Sequence, residues 1–335
     1  MKIDEIKNCP GTLAEGFSTY SPGCLRRLFM GKKVSHVLPY DSIGHDDKDT
    51  KEFIENRKRI SISGVQEKES MLLEKNILRL TREGEQGTYI LKPIPVDVRF
   101  PDQVPANEHL TMQVARQVFG INTAENAMIF FKDGTPAYIT KRFDVKEEGL
   151  RWGKEDFASL AGRSSDNAGP NFKYDYPYEE IGRLIQKYVP AWRIEIEKFY
   201  SLVLFNFLIS NGDAHLKNFA LLESSTGDYL LSPAYDLIST RIHVDDSDFA
   251  LYKGLFTDGF RSDVQKKTGH PSFADFMEFG KRIGIPESRI MKISAPFLEK
   301  QPMIETLTRR SFLNERCKKI YVLVYNTKLN YLTHS

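Results

Sequence analysis

The stretch NGDAHLKNF, residues 211–219, places Asp213, His215, Lys217 and Asn218 within six positions, directly after the nearly unbroken apolar run LVLFNFLIS. Three kinds of chemistry suit such a set. It reads as a polar turn, because Asn, Gly and Asp favour turns, as a metal site, or as the centre of a phosphoryl transfer. Zinc on His215 has weak support, since no second His or Cys stands nearby at ligand spacing. Asp213 and Asn218 are five residues apart, and Asp236 comes later in SPAYDLIS, just beyond a segment that reads as a hairpin. A hairpin that folds back brings Asp236 near Asn218, and two hard oxygen ligands of this kind suit Mg²⁺ carried with nucleotide phosphates. Asp213 is then left to orient or deprotonate a hydroxyl nucleophile.

This order of Asp, Asn and a second Asp after a hairpin matches the protein-kinase template. The histidine comes after the Asp instead of before it, and neither DFG nor APE occurs. The likeness is therefore one of function and topology. Such a site also needs a turn rich in backbone donors over the phosphates and a lysine on a nearby strand. SISGVQEK, Ser61 to Lys68, offers the turn, though with one glycine it matches neither GxGxxG nor a Walker motif, and taken alone an ordinary hairpin turn fits it better. Lys92 ends the apolar strand of TYILKP and reads either as a snorkelling edge residue or as a phosphate partner. Glu108, early in the next helix, either holds Lys92 or favours the helix N-terminus electrostatically. TKRFD would connect two lobes, with backbone groups around Lys141 to Phe143 facing an adenine ring and Asp144 capping the next segment.

Position must come from the surrounding elements. RISISGVQ, SMLLEKNILRL and GTYILKPIP read as short strands, and AMIFF and PAYITKRFD as two more around the turn KDGT. NEHLTMQVARQVFG reads as a helix with Asn107 as N-cap and Gly120 as its stop. After residue 146 the pattern turns mainly helical. PYEEIGRLIQKY shows one apolar face, RIEIEKFYSLVLFNFLIS is apolar all round in its second half and so deeply buried, and FALLES with YLLSP forms the hairpin. FADFMEFGKRIG and KIYVLVYNTKL give further helices. Strands with one helix, then mostly helices, indicate a bilobal α+β protein, with a cleft as the natural ligand site. The expected partition is an N-terminal segment 1–58, a strand-rich lobe 59–145 and a helical lobe 146–335.

Composition sets the outer limits. The chain has 335 residues, 41% apolar and 27% charged, enough for a sizeable core. A formal net charge of +2 gives no whole-chain sign of a nucleic-acid surface. Cys9, Cys24 and Cys317 are few, odd in number and without a CxxC pair, which argues against zinc ribbons and disulfide scaffolds. With no signal-like or membrane-length apolar run, the reading is a cytoplasmic, reducing setting.

Taken in order, RISISGVQEK, YILKP, NEHLTMQVAR, ITKRFD, EDFASLAG, NGDAHLKNF and SPAYDLIS resemble the HipA family of bacterial serine/threonine kinases, the toxins of toxin–antitoxin systems. The resemblance covers residues 59 to 240 by motif and the C-terminal helices more loosely. It implies a protein-kinase-like fold, with a strand-rich N-lobe and a helical C-lobe, that binds ATP and Mg²⁺. Asp213 takes the place of the catalytic aspartate, and Asn218 and Asp236 those of the metal ligands. Lys92 matches the phosphate-contacting lysine, and Ser63, Gly64, Val65, Gln66, Glu67 and Lys68 the turn over the phosphates. Lys141, Arg142 and Phe143 match the nucleotide-side connection, with His215 and Lys217 flanking the phosphates and Tyr235 beside the nucleotide. Ser61 matches a regulatory autophosphorylated serine, and Ser63 offers a second hydroxyl as in the short HipT members. A phosphoserine there would add roughly −2 charge beside the ATP phosphates.

Only about 58 residues precede the turn, as in the short HipT type, where the missing N-terminal subdomain can be a separate small HipS-like protein. A helix-turn-helix HipB-like antitoxin that binds DNA is the implied partner. The implied substrates are translation-linked proteins such as an aminoacyl-tRNA synthetase. Two other functions compete: a nucleotide-binding kinase-fold module working in transcriptional repression, and a small-molecule kinase.

Overall fold

The computed structural model describes residues 3–42, 68–146 and 149–333. They form two compact units: Met1–Gln113, Ala124–Leu150 and Thr306–Lys318 in one, and Val114–Thr123, Arg151–Glu305 and Lys319–Ser335 in the other.

In the first unit, helix α1 (Pro22–Phe29) begins where Ser21 accepts from the Cys24 N–H and Pro22 opens the first turn. Five antiparallel strands come next: β1 (Glu69–Glu74), β2 (Ile77–Leu80), β3 (Tyr89–Lys92), β4 (Asn126–Phe130) and β5 (Pro136–Lys141), in the spatial order β2-β1-β3-β5-β4. Tyr89, Leu91, Ala127, Ile129, Ala137 and Ile139 are buried with Tyr20, Cys24, Leu28, Phe29, Val34 and Leu38 of the N-terminal segment. That segment shares the sheet's core and pairs with its edge, since Leu38 N–H donates to the Phe130 carbonyl and Phe130 N–H to that of His36. Strand alternation leaves Lys92, in register with Tyr138, on the side opposite Leu91.

The helix read from NEHLTMQVARQVFG is α2 (Val104–Gln117). It starts three residues before the expected cap. Pro105 fits a first turn that continues directly from the 3₁₀ turn Pro101–Gln103. Asn107 therefore lies inside the helix, fully buried, with its Oδ1 3.2 Å from the Thr111 hydroxyl. Gly120 stands just past the end at φ +65.

The second unit opens with β6 (Lys154–Asp156), α3 (Phe157–Leu160) and α4 (Ser165–Ala168). Next come α5 (Tyr178–Tyr188), α6 (Trp192–Leu208), β7 (Ala220–Glu223), β8 (Tyr229–Leu231), α7 (Asp263–Thr268), α8 (Phe273–Arg282) and α9 (Glu287–Ser294). The division between units passes through α10 (Pro302–Arg310) and α11 (Glu315–Thr333). The helices and the β7–β8 hairpin match the sequence pattern. Strand β6 does not, because its residues are Lys, Glu and Asp and carry no alternation signal. It forms by pairing with β7, in a sheet of order β6-β7-β8. From Phe199 to Leu208 every residue of α6 except Ser201 is buried, packed through Phe205 on Phe119 and through Phe207 on Phe249 and Phe276. This all-round burial makes α6 a fixed base for the loop that leaves its C-terminus.

Candidate active site

The chain leaves α6 through Ser210, in the left-handed region at φ +55. Asn211 N–H returns to the Asn206 carbonyl at 2.8 Å, and the two side-chain amides are 3.0 Å apart. Gly212 N–H donates to Thr240 Oγ1 at 2.8 Å. A Cβ on Gly212 would sit 2.4 Å from that of Asp246, so only glycine fits. The Asp213 N–H donates to Asn211 Oδ1 at 3.2 Å, an Asx-type turn that aims the carboxylate outward with its side chain 53% exposed.

His215 caps the 3₁₀ turn Leu216–Asn218. Its Nδ1 accepts from the Lys217 N–H at 3.3 Å, and Asn218 Oδ1 accepts from the His215 N–H at 3.2 Å. The neutral ring must then carry its proton on Nε2, which lies 3.8 Å from Asp213 Oδ1. Burial, helped by the nearby Lys173 charge, pushes His215 down to about 3. Near neutral pH it is thus an uncharged group.

The β7–β8 hairpin returns the chain to this loop. Tyr235 Oη donates to the Lys217 carbonyl at 2.8 Å, and the Lys154 ammonium from β6 lies 5.7 Å from the Tyr235 ring centroid. Asp236 comes next, in the left-handed region at φ +55, and its charge acts on His215. Asp213, His215, Lys217, Asn218, Tyr235 and Asp236 are thereby gathered in the second unit. Sequence reasoning missed Lys173 and Tyr174. Tyr174 donates to Asp213 Oδ1 at 2.7 Å. The aromatic-rich NFKYDYPY before α5 was the available signal, and it reads equally well as a helix lead-in.

The other expected residues lie in the first unit. Lys92 is 3% exposed, with its Nζ 2.5 Å from Glu108 Oε1 and 5.3 Å from the Tyr138 ring centroid. It is a buried ion-paired lysine, and Glu108 holds it. Lys141 ends β5, where its N–H donates to the Glu125 carbonyl. Arg142 grips both oxygens of Asp144, at 3.0 and 2.7 Å, so Asp144 serves the arginine. Phe143 is half-buried between them. Lys68 stands just ahead of β1. Ser61, Ser63, Gly64, Val65, Gln66 and Glu67 lie outside the described residues.

Among the described residues no three His, Cys, Asp or Glu side chains cluster to hold a metal alone. Asn218 and Asp236 offer only two oxygen donors, which fits a Mg²⁺ that keeps waters and phosphate ligands. No helix among the described residues is long and apolar enough to cross a membrane.

Solved structures with similar folds define the class. The HipA–HipB–operator DNA complex of the Shewanella oneidensis MR-1 toxin–antitoxin system matches with a TM-score of 0.61 at 21% identity, over 80% of this chain and 63% of that one. The Helicobacter pylori proinflammatory kinase CtkA matches at 0.51 and 15% identity, over 76% of this chain and 90% of that one. The fold is thus of the kinase-like, bilobal α+β class.

The chain belongs to the HipA-like family: the model of the HipA-like C-terminal domain matches residues 60–303. A Haemophilus influenzae protein named "Putative kinase" is 24% identical over 89% of this chain and 88% of its own length. Two Sinorhizobium fredii proteins, "Putative kinase Y4dM" and "Putative kinase Y4mE", are 33% and 29% identical over 58% and 56% of this chain. The matches span 48% and 44% of those two proteins, about half their length.

Proposed function

We propose that this chain is an ATP- and Mg²⁺-dependent protein serine/threonine kinase acting in the cytoplasm as the toxin of a HipBA- or HipBST-like system. The observation that carries the reading is the return of the β7–β8 hairpin to the Asp213 loop, fixed by the Tyr235 to Lys217 hydrogen bond. It sets Asp236 at the loop that bears Asp213 and Asn218, the order the phosphoryl-transfer template requires. Kinase names among the relatives and the Lys92–Glu108 pair support the same reading.

In this reading Asp213 takes the proton of the acceptor hydroxyl, and Asn218 and Asp236 hold the Mg²⁺, which supplies charge neutralisation at the phosphates. Lys92, oriented by Glu108, and Lys217 face the nucleotide phosphates. Neutral His215 contributes a donor instead of a charge. By the family resemblance Ser63–Lys68 is assigned to the nucleotide phosphates, Lys141–Phe143 to the adenine side, and Ser61 or Ser63 to regulatory autophosphorylation. Segment 1–58, lobe 59–145 and lobe 146–335 are the matching partition, as in the short HipT type.

A HipB-like antitoxin is the expected partner, since the Shewanella neighbour was solved with HipB and operator DNA. A separate HipS-like protein would complete the short type. The proposed substrate is a translation-linked protein such as an aminoacyl-tRNA synthetase, whose phosphorylation halts growth. Intact-mass spectrometry of wild type and Asp213→Ala after incubation with Mg-ATP tests the reading. A gain of phosphate on the Ser61/Ser63 peptide, lost in the variant, supports it. Wild type that labels neither itself nor a cell lysate overturns it.

A further inference from the structure

Tyr174 lies against the carboxylate of Asp213 without belonging to any motif that led to the site. Its phenol donates to Asp213 Oδ1 at 2.7 Å. The backbone on either side is tied down. Leu216 N–H donates to the Lys173 carbonyl at 3.1 Å, and Tyr252 N–H donates to the Tyr174 carbonyl at 2.9 Å. The ring is held as well, stacked on Tyr252 with centroids 5.6 Å apart and meeting the His215 ring edge-on at 5.1 Å. The Lys173 ammonium is 4.9 Å from its centroid.

We propose that Tyr174 is a positioning residue for Asp213, holding Oδ1 so that Oδ2 is presented to the hydroxyl of the acceptor. This rests on the kinase reading of Asp213. A carboxylate on an exposed loop turns about its χ2 torsion, and general-base catalysis needs the accepting oxygen within hydrogen-bond reach of the proton. A phenol anchored through its own backbone removes that freedom without adding charge. In the step it serves, the acceptor O–H bond breaks and its proton passes to Asp213 Oδ2. The acceptor oxygen bonds to the γ-phosphorus, and the bond from that phosphorus to the bridging oxygen breaks as ADP leaves. Tyr174 keeps its proton throughout. Burial first, and the Asp213 charge second, push its ionisation upward.

The test compares full-length wild type and Tyr174→Phe, which keeps the ring and loses only the hydroxyl. Phosphate transfer and the KM for ATP are measured, with a thermal melt as the check of folding. A fall in kcat of about 10- to 100-fold, with KM for ATP unchanged, is the expected result for a lost hydrogen bond to a charged group. A kcat within about twofold of wild type, or a higher one, overturns the proposal. In a second arm, 3,5-difluorotyrosine at position 174 restores the hydroxyl donor on the same ring. Its kcat should stay within about threefold of wild type, and a loss as deep as that of Tyr174→Phe overturns the proposal. Failure of the kinase reading looks different, because wild type itself would then transfer no phosphate.

Discussion

Lys92 and Glu108 form an ion pair inside the first unit, Nζ to Oε1 at 2.5 Å, with side chains 4% and 3% exposed. A strand end and the first turns of a helix supply the two charges. Desolvating both is costly, and loss of one partner strands the other in an apolar setting.

Replacing Glu108 by Leu should therefore destabilise the fold by about 3–5 kcal/mol. The double variant Lys92→Met, Glu108→Leu should regain most of that loss while remaining unable to transfer phosphate. Urea unfolding of the three proteins, read beside phosphate transfer, separates stability from chemistry. Equal stability of the single and double variants would count against a coupled pair.

Gly212 offers a steric test of the loop. Its absent Cβ leaves room for Asp246, whose own Cβ would otherwise be 2.4 Å away. Gly212→Ala should cost about 1–3 kcal/mol by overpacking and displace Asp213, lowering kcat more than affinity for ATP. Gly227→Ala, in a hairpin turn with φ +85 and nothing within 4 Å, should strain only its own turn. The pair is compared by thermal melts and steady-state kinetics, and equal kcat values would argue against the steric account.

A third expectation concerns pH. His109 on α2 is fully buried beside Phe312, and burial pushes it down to about 4 from 6.5. Between these values the unfolded chain binds a proton that the folded chain refuses, so stability rises with pH across this window and falls on acidification. Relative to His109→Phe, wild type should lose about 2 kcal/mol between pH 7 and pH 5. Urea denaturation at the two pH values measures the difference, and parallel losses in the two proteins would place the acid sensitivity elsewhere.

The buried thiols give a simpler readout. Cys9, Cys24 and Cys317 are all buried and unpaired as disulfides. A thiol reagent such as DTNB should react slowly with the native protein and promptly in denaturant. Rapid labelling of Cys9 or Cys24 in the native state would show that the N-terminal segment opens away from the sheet.

Much of the fold and the outline of the site were legible because they are written in local pattern. The β7–β8 hairpin, the strands around KDGT and the apolar second half of α6 come from alternation and burial periodicity, which neighbours along the chain specify. Asp213, Asn218, Asp236 and Lys92 stood out because their types and order match a known chemistry. What the sequence alone could not decide depends on contacts between distant segments. Strand β6 exists only because β7 pairs with three charged residues that have no strand signal. Asn107 was displaced from its cap by Pro105 and a preceding turn. The neutral state of His215 comes from burial and from Lys173, forty-two positions earlier. Tyr174 reaches Asp213 across thirty-nine positions because its backbone is fixed to both neighbouring segments. Periodicity carries the elements and residue type carries the chemistry. Which side chain meets which is settled only when packing closes the distance between segments.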